Sequence, residues 1–340
     1  MNRPSTVAQP LALTGLANYS PGPAVDNATL EAVLQAPVRS VMAYFGVEAR
    51  HYVIDPRTGK ELEPGLGTTE MSVRAGRKAL AGAGLEADAI DTLICATSTP
   101  DGRLPPLTHD VQRGLGMEDV QMYDLRGGCA VAMQALALAS ALLESGRARR
   151  VLVTLADTLS RHFLTPLLGQ NDPRTEDLVN ALTFADGAAA AVVEAAREGD
   201  RAFRLLNVSA RSRFAHRAHG FGVDGDGQTL HNHRAIREQL PHVMQEAVQT
   251  LLASNRDAGE RPIDHLIVPQ VNRSMLNLVQ SELHDRVYYV GHRIGNCPAP
   301  AILRALALAI EEGVFAPGSA NVGVIGIETA SWTFGTALLR

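Results

Sequence analysis

The segment Ile90-Asp91-Thr92-Leu93-Ile94-Cys95-Ala96-Thr97 has a near copy in Ile263-Asp264-His265-Leu266-Ile267-Val268-Pro269-Gln270, and the stretches downstream of the two copies come in the same order. After the first come a helix-like stretch (Leu107 to Leu115), an alternating apolar strand (Val120 to Leu125), the turn Gly127-Gly128-Cys129 and a helix containing Ala135-Leu136-Ala137-Leu138-Ala139. After the second come a helix-like stretch (Arg273 to Leu283), a strand (Val287 to Val290), a loop with Gly295-Asn296-Cys297 and a helix containing Ala305-Leu306-Ala307-Leu308-Ala309. Both helices end in an acidic residue and a glycine, and apolar strands come next (Val151 to Ala156, Val322 to Ile327). Two short strings can coincide in an alanine-rich chain; a whole ordered match implies duplication. The chain therefore reads as an α/β protein of two βαβ-rich halves, 1–195 and 196–340, with a site expected at their pseudo-twofold interface.

Within the first half, Cys129 sits where a strand turns through two glycines into a buried helix. A thiol at that first turn faces unpaired backbone N–H groups and the positive end of the macrodipole, which favour thiolate. That makes a nucleophile without a charged neighbour; the bland alternative is a buried core cysteine. In the duplicated register, Asn296 holds in the second half the place of Cys129 in the first.

Composition excludes several classes. The chain has 340 residues, 46% hydrophobic and 20% charged, with net charge −5, so no basic excess exists to neutralise phosphates and no nucleic-acid partner is expected. No apolar run reaches the roughly 18 residues of a membrane span. The N-terminus lacks a signal-peptide pattern. Cys95, Cys129 and Cys297 are widely spaced and odd in number, which fits neither a disulfide framework nor a zinc site, so a reducing cytoplasm is the expected compartment. His216, His219, His231, His233 and His242 crowd one region among glycines and read as solvated loop and helix start, with no metal expected. Asp224-Gly225-Asp226-Gly227 reads as a turn, since it lacks the spacing of a calcium loop. Cys95 reads as core, Cys297 as pocket lining or packing, and Leu159 to Asn180 as a long irregular insertion.

Taken together, the motifs resemble the thiolase superfamily, and within it the β-ketoacyl-ACP synthase III group. Phe45-Gly46-Val47-Glu48-Ala49-Arg50-His51 resembles an early "TGIRERH" segment, and Asp124 to Ala130 the nucleophile turn. Phe184-Ala185-Asp186-Gly187-Ala188 resembles "FGDGA", Val268-Pro269-Gln270-Val271-Asn272 resembles "VPHQAN", and Gly295-Asn296 matches a "GN" loop. Trp332-Thr333-Phe334-Gly335-Thr336-Ala337-Leu338 resembles the closing "FTWGSAL". The resemblance spans nearly the whole chain. It implies the five-layered αβαβα thiolase fold, a homodimer, and an acyl-CoA or acyl carrier protein as thioester substrate rather than a bound cofactor.

In that family the cysteine takes an acyl group from a thioester, and a histidine and an asparagine hold a malonyl thioester while it loses carbon dioxide. By resemblance, Cys129 and Asn296 carry over, whereas Gln270 stands where the motif has histidine. Glutamine cannot act as a base near neutral pH, but its NH₂ can donate. Gln270 and Asn296 would then give two donors for an enolate, which suits decarboxylative condensation. Transfer to a hydroxyl or amine, forming an ester or amide, is worse served because that nucleophile must lose a proton. A third reading is a non-catalytic subunit paired with an active homologue in a heteromeric ketosynthase. His292, four residues before Asn296, is a candidate displaced histidine, with His265 more remote. The family's glycine-rich oxyanion turn corresponds to Glu328-Thr329-Ala330-Ser331, so the Ala330 N–H joins that of Cys129 in the expected oxyanion hole. Ser40 and Tyr44 stand where the family's adenine clamp has tryptophan and arginine, which favours a carrier-bound or unusual acyl donor in a specialised fatty-acid or polyketide-type pathway.

Overall fold

The computed structural model describes residues 10–197, 199, 202–213, 216–223, 229–279 and 283–340. Its frame is a ten-stranded mixed sheet. The strands are β1 (Leu11–Tyr19), β2 (Thr92–Thr97), β3 (Gln121–Arg126), β4 (Arg150–Thr158), β5 (Asp186–Ala195), β6 (Phe203–Ser212), β7 (His265–Ile267), β8 (Val287–Tyr288), β9 (Val322–Glu328) and β10 (Thr333–Leu339). In space they run β8-β7-β9-β10-β6-β1-β5-β4-β2-β3.

That order is one pattern used twice. In the first half β1 pairs antiparallel with β5, β5 antiparallel with β4, and β4 parallel with β2, which is parallel with β3. In the second, β6, β10, β9, β7 and β8 repeat the same directions. Ile94 in β2 and Ile267 in β7 thus occupy equivalent places, as the repeat predicts. A short β1–β6 pairing, from Leu11↔Leu205 to Leu13↔Phe203, makes the sheet continuous across the halves, and a parallel bridge between Phe184 and Asn296 joins them again at the loops.

Five helices give the layers: α1 (Thr68–Ala83), α2 (Leu107–Leu115), α3 (Val131–Glu144), α4 (His233–Asp257) and α5 (Ala301–Glu311). Helices α3 and α5 are alanine- and leucine-rich with no interior glycine or proline, so they form readily and are apolar nearly all round. Such helices must be buried. They lie between the two half-sheets in a core that draws Val131, Leu136 and Ala139 from α3, Ile302, Leu303 and Leu306 from α5, and strand residues from both halves. Helices α1 and α2 cover the first half-sheet, and α4 covers the second, each with a core of its own. The result is the αβαβα layering that the resemblance implies. Truncating a central side chain such as Leu136 to alanine would cost about 2–5 kcal/mol.

Two local expectations differ. Arg273 to Leu283 is not one helix: a 3₁₀ segment spans Arg273–Leu278 and a second short one His284–Arg286, with 280–282 outside the described residues. Asn272 caps the first through its Oδ1 to the Ser274 N–H, and Met275 and Val279 are its buried apolar anchors, too few to hold a long helix. The Leu159–Asn180 stretch is not irregular: it holds helices Ser160–Phe163 and Thr165–Leu167 and most of Thr175–Thr183, because Leu164, Leu167, Leu178 and Leu182 reach the first-half core. The Asp224–Gly227 turn lies outside the described residues.

Candidate active site

Cys129 lies in the turn between β3 and α3, two residues before the helix begins at Val131. The sequence predicts a thiolate there, favoured by the helix end. The structure shows the opposite influence. Cys129 is partly exposed, yet loss of water around the thiol pushes it well above its ordinary range, and the Glu328 and Asp157 carboxylates push it further. The helix-end N–H groups are occupied: Glu328 Oε2 accepts the Gly128 N–H at 3.0 Å, and the Ala130 N–H acts on the same carboxylate. The turn is tight in itself: a Cβ on Gly127 would lie 3.1 Å from that of Val131. A carboxylate thus sits where a thiolate would have taken its stabilisation.

Asp157, at the end of β4, ties the nucleophile side to the second half. Its Oδ1 accepts the Ser98 N–H at 2.7 Å and hydroxyls of Thr97 and Ser98, while Oδ2 accepts the Ala299 N–H at 2.8 Å. Burial raises its carboxyl, against the pull of these donors. The Ala299 bond brings the Asn296 loop to the nucleophile turn, where a Cβ at Gly128 would lie 3.7 Å from Pro298.

Asn296 is held by its backbone. Its N–H donates to Thr183 O at 2.9 Å, and its carbonyl accepts the Ala185 N–H at 2.9 Å. Gly295 sets this up: its φ of +67° is left-handed, and a Cβ there would meet those of Ala185 and Arg50 at 2.7 Å, so only glycine fits. The Asn296 side chain is buried, and its Oδ1 has no hydrogen-bond partner among the described residues. A buried side-chain oxygen with no partner on the protein is a mark of a binding site.

Gln270 differs from the expectation of an enolate donor. It is fully buried, its Nε2 donates to Val268 O at 2.7 Å and Tyr288 O at 3.3 Å, and its Oε1 accepts from Val290 N at 2.8 Å and Gly291 N at 3.2 Å. Both N–H groups are thus committed to carbonyls, and the side chain braces the segment leading to Asn296. His292 is also turned elsewhere. Its ring is 5.9 Å from that of Tyr289, and burial lowers its pKa among the charges of Glu48, Arg293, Arg273 and Glu312. His265 packs on Phe315 at the far strand start. Cys95 is core, accepting from the Thr154 hydroxyl, and Cys297 packs against the carbonyls of Asp157 and Gly187 rather than lining a pocket.

The Glu328–Ser331 turn completes the site. Strand β9 reaches the nucleophile because Gly326 is bare: a Cβ there would meet Met133 at 2.7 Å and the Cys129 carbonyl at 3.4 Å. The segment Ala218–Gly220 clamps the turn. His219 Nδ1 donates to Ala330 O at 2.6 Å, Gly220 N to Thr329 O at 3.0 Å, and Trp332 Nε1 to Ala218 O at 2.9 Å. His219 reads from sequence as a solvated loop residue, and nothing local marks its partner 111 positions away. Glu328 reads from sequence only as the first residue of the segment Glu328-Thr329-Ala330-Ser331, with no role of its own. Among the described residues no cluster suits a metal ion and no helix is long and apolar enough to cross a membrane.

A thiol at a glycine turn, tied through Glu328 and Asp157 to the Glu328–Ser331 turn and the Asn296 loop on a duplicated five-layer frame, is the arrangement of a thiolase-fold acyl-transferring enzyme. Comparison with known proteins agrees. The profile described as 3-oxoacyl-[acyl-carrier-protein (ACP)] synthase III matches residues 123–213. A β-ketoacyl-[acyl-carrier-protein] synthase III of Cereibacter sphaeroides is 32% identical over 313 residues, covering 89% of this chain and 91% of the relative. The solved structure of AbyA1, a tetronic acid condensing enzyme, superposes with a TM-score of 0.85 at 28% identity, over 97% of this chain and 99% of that one. The synthase III of Pseudomonas aeruginosa PAO1 superposes with a TM-score of 0.80 at 25% identity over 98% of each chain. The chain belongs to the β-ketoacyl-[acyl-carrier-protein] synthase III family, whose members are acyl-transferring condensing enzymes.

Proposed function

We propose that an acyl group from a CoA or carrier-protein thioester is loaded on Cys129 and then condensed with a malonyl-type thioester, forming a carbon–carbon bond in a specialised fatty-acid or polyketide-type pathway. The observation that carries this reading is the convergence of the Cys129 turn, the Asn296 loop and the Ala330 turn through Glu328 and Asp157. Attack by sulfur on the thioester carbonyl puts negative charge on its oxygen. The N–H groups of Cys129 and Ala330 are the donors assigned to that oxygen, and Ala330 is held from its carbonyl side by His219. When the malonyl unit loses carbon dioxide, the Asn296 amide is the donor assigned to the enolate, which then attacks the Cys129 acyl carbon. Gln270 supports that amide from behind.

The test is intact-protein mass spectrometry after incubation with acyl thioesters. Cys129 should gain the acyl mass, Cys129→Ala should not, and malonyl thioester should discharge the adduct with release of carbon dioxide. An adduct on Cys95 or Cys297, both buried, would overturn the assignment. Discharge by a hydroxyl or amine without malonyl thioester would point to ester or amide formation. Loading only in the presence of a second homologue would point to a non-catalytic subunit.

A further inference from the structure

The thiol at Cys129 needs somewhere to send its proton. Its own surroundings raise its pKa, and the charged groups that act most on it are the carboxylates of Glu328 and Asp157. Asp157 carries five donors, four on Oδ1 from Thr97, Ser98 and Thr99 and one on Oδ2 from Ala299. Glu328 is different. It enters from the last residue of β9, half-buried, and takes the peptide N–H groups on either side of Cys129 and the Ser331 hydroxyl. Those three bonds fix the carboxylate against the nucleophile turn and leave it one of its roughly four lone-pair sites for a proton.

We propose that Glu328 is the proton acceptor for Cys129 during acyl loading. As Sγ attacks the donor carbonyl, the thiol proton passes to the Glu328 carboxylate. The new bond joins Sγ to the acyl carbon, the bond from that carbon to the donor sulfur breaks, and Glu328 returns the proton to the departing thiolate. The cycle is balanced without a further reactant and leaves Glu328 ionised. It rests on the reading of Cys129 as the loaded nucleophile. Burial raises the carboxyl above its ordinary range, closer to a working pH. The titratable groups around it are Cys129 beneath, Asp157 on β4, and His219, which holds the neighbouring Ala330.

Two rates measured over pH 5–9 test this: alkylation of Cys129 by iodoacetamide and its acylation by an acyl-CoA. Removing the charge in Glu328→Gln lowers the thiol pKa, so alkylation at neutral pH should rise severalfold. Acylation should move the other way, falling about 10²-fold, and should lose the pH limb set by the carboxylate. Glu328→Asp should recover part of the rate and keep that limb. Equal or faster acylation in a folded Glu328→Gln protein would overturn the proposal, because it would mean that the carboxylate only anchors the turn. If Glu328→Gln fails to fold, as shown by circular dichroism, Glu328→Asp carries the test: its withdrawn carboxylate should slow acylation, and a full wild-type rate overturns the proposal. If wild-type protein is alkylated at Cys129 but not acylated by CoA or carrier thioesters, the functional reading itself fails.

Discussion

Every polar atom of the Gln270 side chain bonds to backbone, which makes a prediction specific to that residue. Gln270→Ala strips partners from the buried N–H groups of Val290 and Gly291 and from two carbonyls. Buried groups left unpaired cost about 1–3 kcal/mol each, so urea denaturation should show a loss of about 2–5 kcal/mol. Acyl loading of the folded protein should stay within a few-fold of wild type, since the amide does not face the thiol. Unchanged stability with lost decarboxylation would restore the enolate-donor role. His219→Ala acts on the oxyanion turn from behind. It should lower the loading rate at saturating donor by about tenfold, well short of the 10²-fold or more for removing an oxyanion donor itself. An unchanged rate constant in single-turnover loading would show that the turn holds its shape without the clamp.

Among the elements, the loops around Asn296 and β5 hold two testable constraints. Gly295→Ala forces a side chain into a left-handed backbone already crowded by Arg50 and Ala185. The expected cost is about 1–3 kcal/mol by thermal denaturation, with carbon dioxide release suffering more than acyl loading because Asn296 shifts. Asp186 opens β5, with its carboxylate taking N–H groups from Val53 and Ser160. Burial nonetheless pushes it up from 3.8 to about 6. The folded protein then holds a proton that the unfolded chain has released over that interval. This contribution to stability is full below about pH 4 and is lost as pH rises through about 6. In melting curves taken from pH 4 to 7, the stability of wild type relative to Asp186→Asn should fall as pH rises across that window. A difference independent of pH would refute the assignment.

At the scale of the whole molecule, β3 is the outer strand of the first half, with Gln121, Asp124 and Arg126 exposed and Met122 42% exposed. An open edge of this kind suits pairing with a second copy. The expected state is a homodimer, and Met122→Lys should shift sedimentation toward monomer with the circular dichroism spectrum unchanged; a monomeric wild type would exclude it. The duplicated topology, the central apolar helices and the Cys129 turn were all legible in the chain itself, because each rests on local periodicity, glycine placement and the repeated order of strands. Gln270, Glu328 and His219 were not. Glu328 and His219 depend on partners far along the chain, 200 residues between Gly128 and Glu328 and 111 between His219 and Ala330, whereas the partners of Gln270 lie within 21 positions but meet it only through the fold of its segment. The resemblance marked Gln270 as a donor, but the bend of its own segment against Tyr288–Gly291 spends that donor on backbone. A helix end likewise predicts a thiolate at Cys129 only when nothing else takes its N–H groups. That competitor arrives on β9 from the other half of the duplication, and only the packing of the two halves brings it there.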